Sequence, residues 1–202
     1  MMNCARTYGN LAMAGCRNAA SGLSPCLIVL RRRNIQSITM AGGVVTDIRL
    51  RGTGRSYTTR RGALTAETRL AEDAYGNGTR QEVSCRTFLR GQAQKRELNA
   101  MKHQLVLCIV RRRDTQNADT RYEVYGLREG MELTVLHFSS ADADGVVADF
   151  TFSTPAAGME QMFPASLWAG TESDTEDIIR RLLGAGYFTL DVDRLDSDIP
   201  IA

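Results

Sequence analysis

The sequence predicts a mainly β protein, a β-sandwich or barrel of about eight to ten strands with one rim helix and a C-terminal helix. Three observations support this fold class. Short segments that alternate apolar and polar residues recur along the chain, glycines separate them, and only two segments have helical composition or periodicity. The chain has 202 residues, 43% of them hydrophobic, which is enough for one domain with a sizeable core.

Four segments in the first part of the chain have the pattern of strands. They are Cys26–Leu30, Val44–Leu50, Arg55–Arg60 and Ala63–Leu70. The first is continuously apolar and the others alternate, so each is expected to bury at least one face. In the second segment, alternation predicts a buried face made by Val44, Thr46, Ile48 and Leu50. The glycines expected at turns are Gly52, Gly54 and Gly62.

A loop, a strand and the rim helix are predicted next. Glu72–Thr79 is polar and contains Gly-Asn-Gly, which suits a loop with positive φ angles. Arg80–Leu89 alternates again and is predicted to be a strand. The residues expected on one side of it are Val83, Cys85, Thr87 and Leu89. Gln92–Lys102 is rich in helix formers and has no β-branched residue, which predicts a short helix on the rim of the β structure.

Four further strands complete the predicted β series. Gln104–Val110 is the most apolar strand of the chain. The other three are Arg121–Leu127, Met131–Phe138 and Val146–Phe152. Pro155 follows them and is expected to end the series, because proline cannot donate to a strand ladder.

The C-terminal part changes from strand to helix. Ser173-Asp-Thr-Glu176 has the capping-box pattern, and an apolar stripe follows at Ile178, Ile179, Leu182 and Leu183. These features predict a short helix over residues 174–183, ended by Gly184. Tyr187–Val192 has the composition of one more strand. The chain is therefore divided into an N-terminal arm (1–24), a β domain (25–155) and a C-terminal extension (156–202).

The inventory of reactive residues predicts no enzyme, no cofactor and no metal site. The two histidines, His103 and His137, are expected on the surface or at an interface. Motifs of nucleophile elbows, zinc proteases and phosphate loops are missing from the sequence. Asp191–Asp198 departs from a calcium loop, because Leu195 takes a ligand position and Asp196 the glycine position. A solvated acidic tail is the expected alternative.

Cysteine usage and hydropathy indicate the cellular compartment in which the protein is expected. The five cysteines are an odd number without a CxxC pair, which predicts neither a zinc site nor a disulfide framework but a reducing compartment. No apolar run approaches the roughly 20 residues that cross a membrane, and the first 20 residues lack the apolar region of a signal peptide. No membrane span is therefore predicted.

Charge is distributed unevenly. The net charge is +2, but eight acidic residues and three arginines from Thr171 onward give that part −5, which leaves +7 for the rest. Such asymmetry favours contacts between molecules. The candidate inter-subunit contacts are Arg31, Arg32, Arg33, Arg111, Arg112, Arg113, Asp191 and Asp193. If both arginine triplets line one rim, they are expected to meet a neighbour's acidic segment. The alternatives are that each triplet caps a strand in solvent, or that the triplets bind phosphates of a nucleic acid.

The order of these elements resembles the tail tube (major tail) proteins of phages, as in phages of Bacteroidetes-type hosts. The resemblance covers roughly residues 35–155. The segments that carry it are Val44–Tyr57, Leu64–Thr68, Gln81–Phe88, Lys95–Met101, Gln104–Arg111, Tyr122–Leu127 and Gly145–Pro155.

The resemblance implies a virion structural protein, assembled in the cytoplasm of the host bacterium. Copies of such a β-sandwich form rings, commonly six-membered, that stack head to tail into a tube, contact other tail proteins and let DNA pass through the lumen. One feature departs from the family, because tube lumens tend to be acidic or neutral whereas this core is basic. Either the arginines face outward and between rings, or the chain is another tail component such as a terminator, connector or baseplate protein. A nucleic-acid-binding module is the remaining alternative.

Overall fold

The structure, a computed structural model, describes residues 22–73, 76–88, 91–113, 118–142 and 145–184. These residues form ten strands and two α-helices, which confirms the predicted fold class. The strands are β1 (Leu23–Arg31), β2 (Ile35–Ala41), β3 (Val44–Leu50), β4 (Arg55–Asp73), β5 (Gly76–Phe88), β6 (Val106–Arg112), β7 (Tyr122–Tyr125), β8 (Glu132–Asp142), β9 (Gly145–Ser153) and β10 (Ala165–Ser166). The helices are α1 (Gln92–Ala100) and α2 (Glu172–Leu183).

Eight of the strands form one antiparallel sheet in the order β10-β7-β6-β1-β4-β5-β9-β8, and β2 and β3 form a separate hairpin. Strand β4 belongs to both halves of the large sheet. Its first residues, Arg55–Thr58, pair with β1. Thr59 pairs with Thr87 of β5, and after an irregularity between Thr59 and Leu64 the residues 64–73 pair with β5. Gly62, with a φ of +78°, lies in this irregularity, where a residue without Cβ adopts the bend at low cost. Gly62 therefore bends a continuous strand and does not separate two strands.

Two apolar clusters use opposite faces of the central strands. The first cluster lies between the two halves of the sheet and takes Leu27 and Val29 from β1. The second lies on the other face, under β2, β3 and α2, and takes Ile28 and Leu30. Successive side chains of a strand point to opposite faces, so the continuously apolar sequence of β1 follows from burial on both sides. Strand β6 follows the same rule, with alternate residues in each cluster.

The large sheet curls until β6 touches the residue before β8 at one point, but it does not close into a barrel. Val106 and Met131 exchange two backbone hydrogen bonds of 2.9 and 2.8 Å, and beyond this bridge no strand pairs with the outer side of β8 in the described residues. Helix α1 lies beside the opening, and Leu98 of α1 and Met101, which follows the helix, are buried in the first cluster. The structure is thus a curled sandwich with a helix at its rim, as the sequence predicted.

Helix α2 covers the second cluster with the predicted apolar stripe. Its start differs from the prediction by two residues, because the side chain of Thr171 accepts a hydrogen bond from Asp174 N (3.1 Å) and Ser173 lies inside the first turn. Leu167 and the helix share one core with β1, β3 and β6. Leu167 and the apolar side of α2 are therefore packed on the β core.

Two local predictions were wrong. Thr39 pairs with Asp47 and Met40 with Val45, so Thr46 is the extra residue of a β-bulge. The buried residues of β3 are consequently Val45 and Ile48, rather than the predicted alternating set. Glu72–Thr79 was predicted to be a loop, but β4 and β5 remain paired as far as Asp73 and Gly76. Its polar composition does not interrupt the pairing of the two strands.

Three regions of the sequence prediction lie outside the described residues. They are most of the N-terminal arm (1–21), Leu89 at the end of its predicted strand, and the predicted strand and acidic segment after residue 184.

Candidate assembly surfaces

The two arginine triplets lie at opposite ends of the central strand pair. Strands β1 and β6 are antiparallel, with Leu23 opposite Arg112 and Arg31 opposite Val106. At about 3.3 Å per residue, eight residues of β1 separate the triplets by roughly 25 Å. The condition that both triplets line one rim is therefore not met, because antiparallel strands that both end in arginine place those arginines at opposite ends.

The triplet after β1 belongs to the more exposed basic end. Arg32 N donates to Leu105 O at 2.8 Å, and Arg32 Nη2 donates to Arg128 O at 3.2 Å. Arg33 is exposed, and so is Arg51, whose backbone N–H donates to Asn34 O at 2.7 Å. Arg32, Arg33 and Arg51 thus lie at the same end of the fold, which gives this end several basic side chains.

The triplet after β6 is anchored in its own fold. The Arg111 guanidinium lies 5.9 Å from the centre of the Tyr122 ring, and Arg112 forms an ion pair of 3.3 Å with Glu123. Arg113 N donates to Gly22 O at 3.0 Å. These contacts match the alternative in which the triplet caps a strand. The acidic candidates Asp191 and Asp193 lie outside the described residues.

Other titratable groups of the described residues do not converge on a reaction centre. His103 is exposed, and His137 Nδ1 lies 3.5 Å from Asp149 Oδ2 with 67% of its side chain accessible. Within these residues no three histidine, cysteine, aspartate or glutamate side chains are placed to share a metal ion. Burial raises the pKa of the Cys26 thiol to about 11, partly offset by Arg111, and it raises the pKa of Cys108 well above its usual value. Neither α1 nor α2 has the length and hydropathy needed to cross a membrane.

Strand β8 is an edge of the large sheet with apolar side chains in solvent. It is eleven residues long, and only β9 pairs with it along its length within the described residues. Val135 is 50% exposed and Phe138 45%. Monomeric proteins protect such edges with charges, prolines or covering segments, because a bare edge pairs with other chains.

A second exposed apolar feature is the Met162–Phe163 knob, the two side chains at the tip of the segment that joins β9 to β10. Met162 is 52% exposed and Phe163 is 62% exposed. Beneath them Glu160 is buried, and its carboxylate accepts hydrogen bonds from the backbone N–H groups of Arg128 and Glu129. The segment is therefore fixed by a buried charge while its largest apolar side chains face solvent.

The α1 pocket is the third feature, a cavity of about 290 Å³ between α1 and strands β8 and β9. Its apolar wall consists of Leu98, Leu136, Phe138 and Ala148. Lys95 and Arg96 belong to its polar side, and Lys95 Nζ lies 4.3 Å from the centre of the Phe138 ring. The pocket is thus an apolar hollow with a basic edge.

Sequence reasoning missed the edge, the knob and the pocket. Phe138 was placed in a strand, but the position of that strand at the end of the sheet depends on long-range pairing. Glu160-Gln-Met-Phe163 follows Pro155, and its only sequence signal is a pair of large apolar residues outside any periodic segment. Comparisons with protein-family models, with curated proteins and with solved structures found no match to this chain.

Proposed function

We propose that this chain is a structural subunit of a phage tail tube, which assembles with copies of itself into stacked rings around a path for DNA. The β8 edge is the observation that supports this best. A long edge strand with half-exposed Val135 and Phe138 is a liability for a monomer and an interface for an oligomer. Ring closure pairs or covers every such edge without leaving a free end.

The six-membered ring, the virion location, the assembly in the bacterial cytoplasm and the contacts with other tail proteins come from the resemblance. The placement of the arginines is compatible with a subunit of a tail tube. The triplets lie at the two ends of the β1–β6 pair, and Arg111 and Arg112 are engaged by Tyr122 and Glu123. The surface that lines a lumen therefore need not be the one that carries them.

Electron microscopy of the purified protein tests the proposal directly. Rings or tubes support it, whereas a monomer at every concentration contradicts it. The variant Val135→Lys places a charge on the β8 edge and is expected to block ring formation. Leu70→Lys is the matched control, because Leu70 is 80% exposed on the β4–β5 ribbon, away from that edge. Loss of rings in both variants would implicate added charge in general and count against the β8 edge.

Nucleic-acid binding is the second candidate function, favoured by the exposed basic end around Arg33 and Arg51. Replacement of Arg31, Arg32 and Arg33 by serine is expected to reduce DNA affinity and the slope of its salt dependence. A monomer whose DNA affinity falls steeply as the salt concentration rises would favour this function over the tube. Single rings that never stack would instead favour a terminator or connector.

A further inference from the structure

We propose that the acidic segment after α2 binds the basic end of its own copy, the end of the fold that carries Arg33 and Arg51, and thereby keeps DNA from that end. The segment covers residues 185–202, which lie outside the described residues. The contact does not depend on the proposed function, because it joins two parts of one copy.

The helix that precedes the segment ends next to the basic end. Gly54 N donates to Leu182 O at 2.7 Å, and a Cβ added to Gly184 would lie 2.7 Å from Thr53 Cγ2. Thr53 is two residues from Arg51 along the chain, so Gly184 lies within roughly 15 Å of Arg51. The acidic segment is therefore attached to the fold beside the basic end.

Arg33 and Arg51 are the arginines of this end that are available to a carboxylate. Arg51 N donates to Asn34 O at 2.7 Å, which places Arg51 beside the residue that follows Arg33. Both arginines are exposed, and within the described residues neither guanidinium group has a hydrogen bond or an ion pair. Arg181 of α2, in contrast, already pairs with Asp47.

The segment has the charge and the length to reach these two arginines. Residues 185–202 contain four aspartates and one arginine, which gives a net charge of −3. Asp191 and Asp193 follow Gly184 by seven and nine residues, and an extended chain of that length spans roughly 25–30 Å. Both carboxylates therefore reach the basic end of their own copy without full extension, and the covalent tether raises their effective concentration there.

The second arginine triplet is a poorer partner for the segment. It lies at the other end of the β1–β6 pair, roughly 25 Å from the first triplet. Arg112 pairs there with Glu123, and the Arg111 guanidinium lies 5.9 Å from the centre of the Tyr122 ring. Distance and existing contacts both favour the end that carries the two exposed arginines.

Docking of the segment changes what the basic end presents to DNA. Non-specific DNA binding depends on cationic side chains that neutralise phosphates. Carboxylates placed over two exposed arginines remove that charge and also repel the phosphates. The basic character that separates this chain from the tail tube family is then offset, at this end, by the chain's own acidic segment.

Zero-length cross-linking tests the contact. The chain has two lysines, Lys95 in α1 and Lys102 just after it. Arg33→Lys and Arg51→Lys add two amines to the basic end and keep its charge. A carbodiimide is expected to join these amines to aspartates of residues 185–202, with the two native lysines as the internal comparison. A mixture of isotopically labelled and unlabelled protein separates links within one copy from links between copies.

DNA affinity tests the consequence. Asp191→Asn combined with Asp193→Asn is expected to bind short double-stranded DNA roughly twofold to tenfold more tightly than wild type, with a steeper salt dependence. Glu72→Gln combined with Asp177→Asn is the matched control, because both residues are exposed and the change in net charge is the same. Serine at both arginines of the basic end is expected to abolish the gain in affinity.

Each negative result refutes a different statement. Links to the native lysines alone, links between copies, or no links to the segment refute the docking. An equal DNA affinity of the aspartate variant and its control refutes the protection from DNA. A wild-type protein that never forms rings or tubes refutes the tube proposal, and the cross-links still decide whether the segment docks.

Discussion

Replacement of Glu160 by alanine is expected to loosen the turn between β7 and β8 and the knob together. The Glu160 side chain is buried, and its carboxylate accepts the backbone N–H groups of Arg128 and Glu129. Hydrogen bonds to a charged group contribute about 1.5–3 kcal/mol each, and a buried N–H left without an acceptor adds a desolvation penalty. We therefore expect Glu160→Ala to lower the free energy of unfolding by about 3–5 kcal/mol.

Glu160→Gln gives an intermediate case. The amide keeps one oxygen for a backbone donor, but its NH₂ group faces a second donor, so a loss of about 1–2 kcal/mol is expected. Glu129→Gln is the matched control. Glu129 forms an ion pair of 3.4 Å with Arg128, and the side chains of Arg128 and Glu129 are 54% and 38% accessible. An exposed ion pair of this kind contributes at most about 1 kcal/mol to stability.

Urea denaturation followed by Trp168 fluorescence measures these differences. The chain has one tryptophan, and its backbone N–H donates to Val45 O at 2.9 Å. If Glu160→Ala costs less than about 0.5 kcal/mol, the carboxylate does not hold this turn and the rigidity assigned to the knob is refuted.

Two further predictions concern stability. Burial raises the pKa of Cys26 to about 11, so between about pH 9 and pH 11 the folded state keeps a proton that the unfolded state loses. The contribution of this thiol to stability is therefore fully present below about pH 9 and is expected to fall by up to about 2–3 kcal/mol as the pH rises through 11. Denaturation midpoints measured across that pH range test this expectation. Cys26→Ala is expected to reduce that slope, and an unchanged slope would contradict the assignment. Thr171→Ala is expected to lower the free energy of unfolding by about 1 kcal/mol and Ser173→Ala to leave it almost unchanged, because Thr171 is the N-cap residue of α2. Equal losses of stability in the two variants, measured by thermal denaturation, would contradict this assignment of the cap.

Local pattern was enough to predict most strands and both helices. Alternation in β5 correctly placed Val83, Cys85 and Thr87 on one buried side. It failed in β3, because the bulge at Thr46 shifts the inward face by one residue and leaves no mark in composition. It also failed at residues 72–79, where the pairing of β4 with β5 continues through polar residues from the better-packed part of the sheet.

The candidate assembly surfaces depend on register between distant segments, which a single sequence does not display. The arginine triplets are each visible in the sequence, but only the antiparallel pairing of β1 with β6 separates them. The pocket requires α1 to lie against β8 and β9, whose residues are about 40–50 positions away. The buried Glu160 has no local signal, since its partners are the backbone groups of a turn formed earlier in the chain.

The two-sided burial of β1 and β6 has a consequence for the order in which the chain matures on the ribosome. The cover of Ile28, Leu107 and Ile109 includes α2, which begins at residue 172 of 202. At about 5–20 residues per second, the central strands are synthesised several seconds before the helix that shields them. We expect chains arrested before residue 170 to bind holdase chaperones and to aggregate when those are withheld. This face is covered only once α2 has been synthesised and has packed on the central strands.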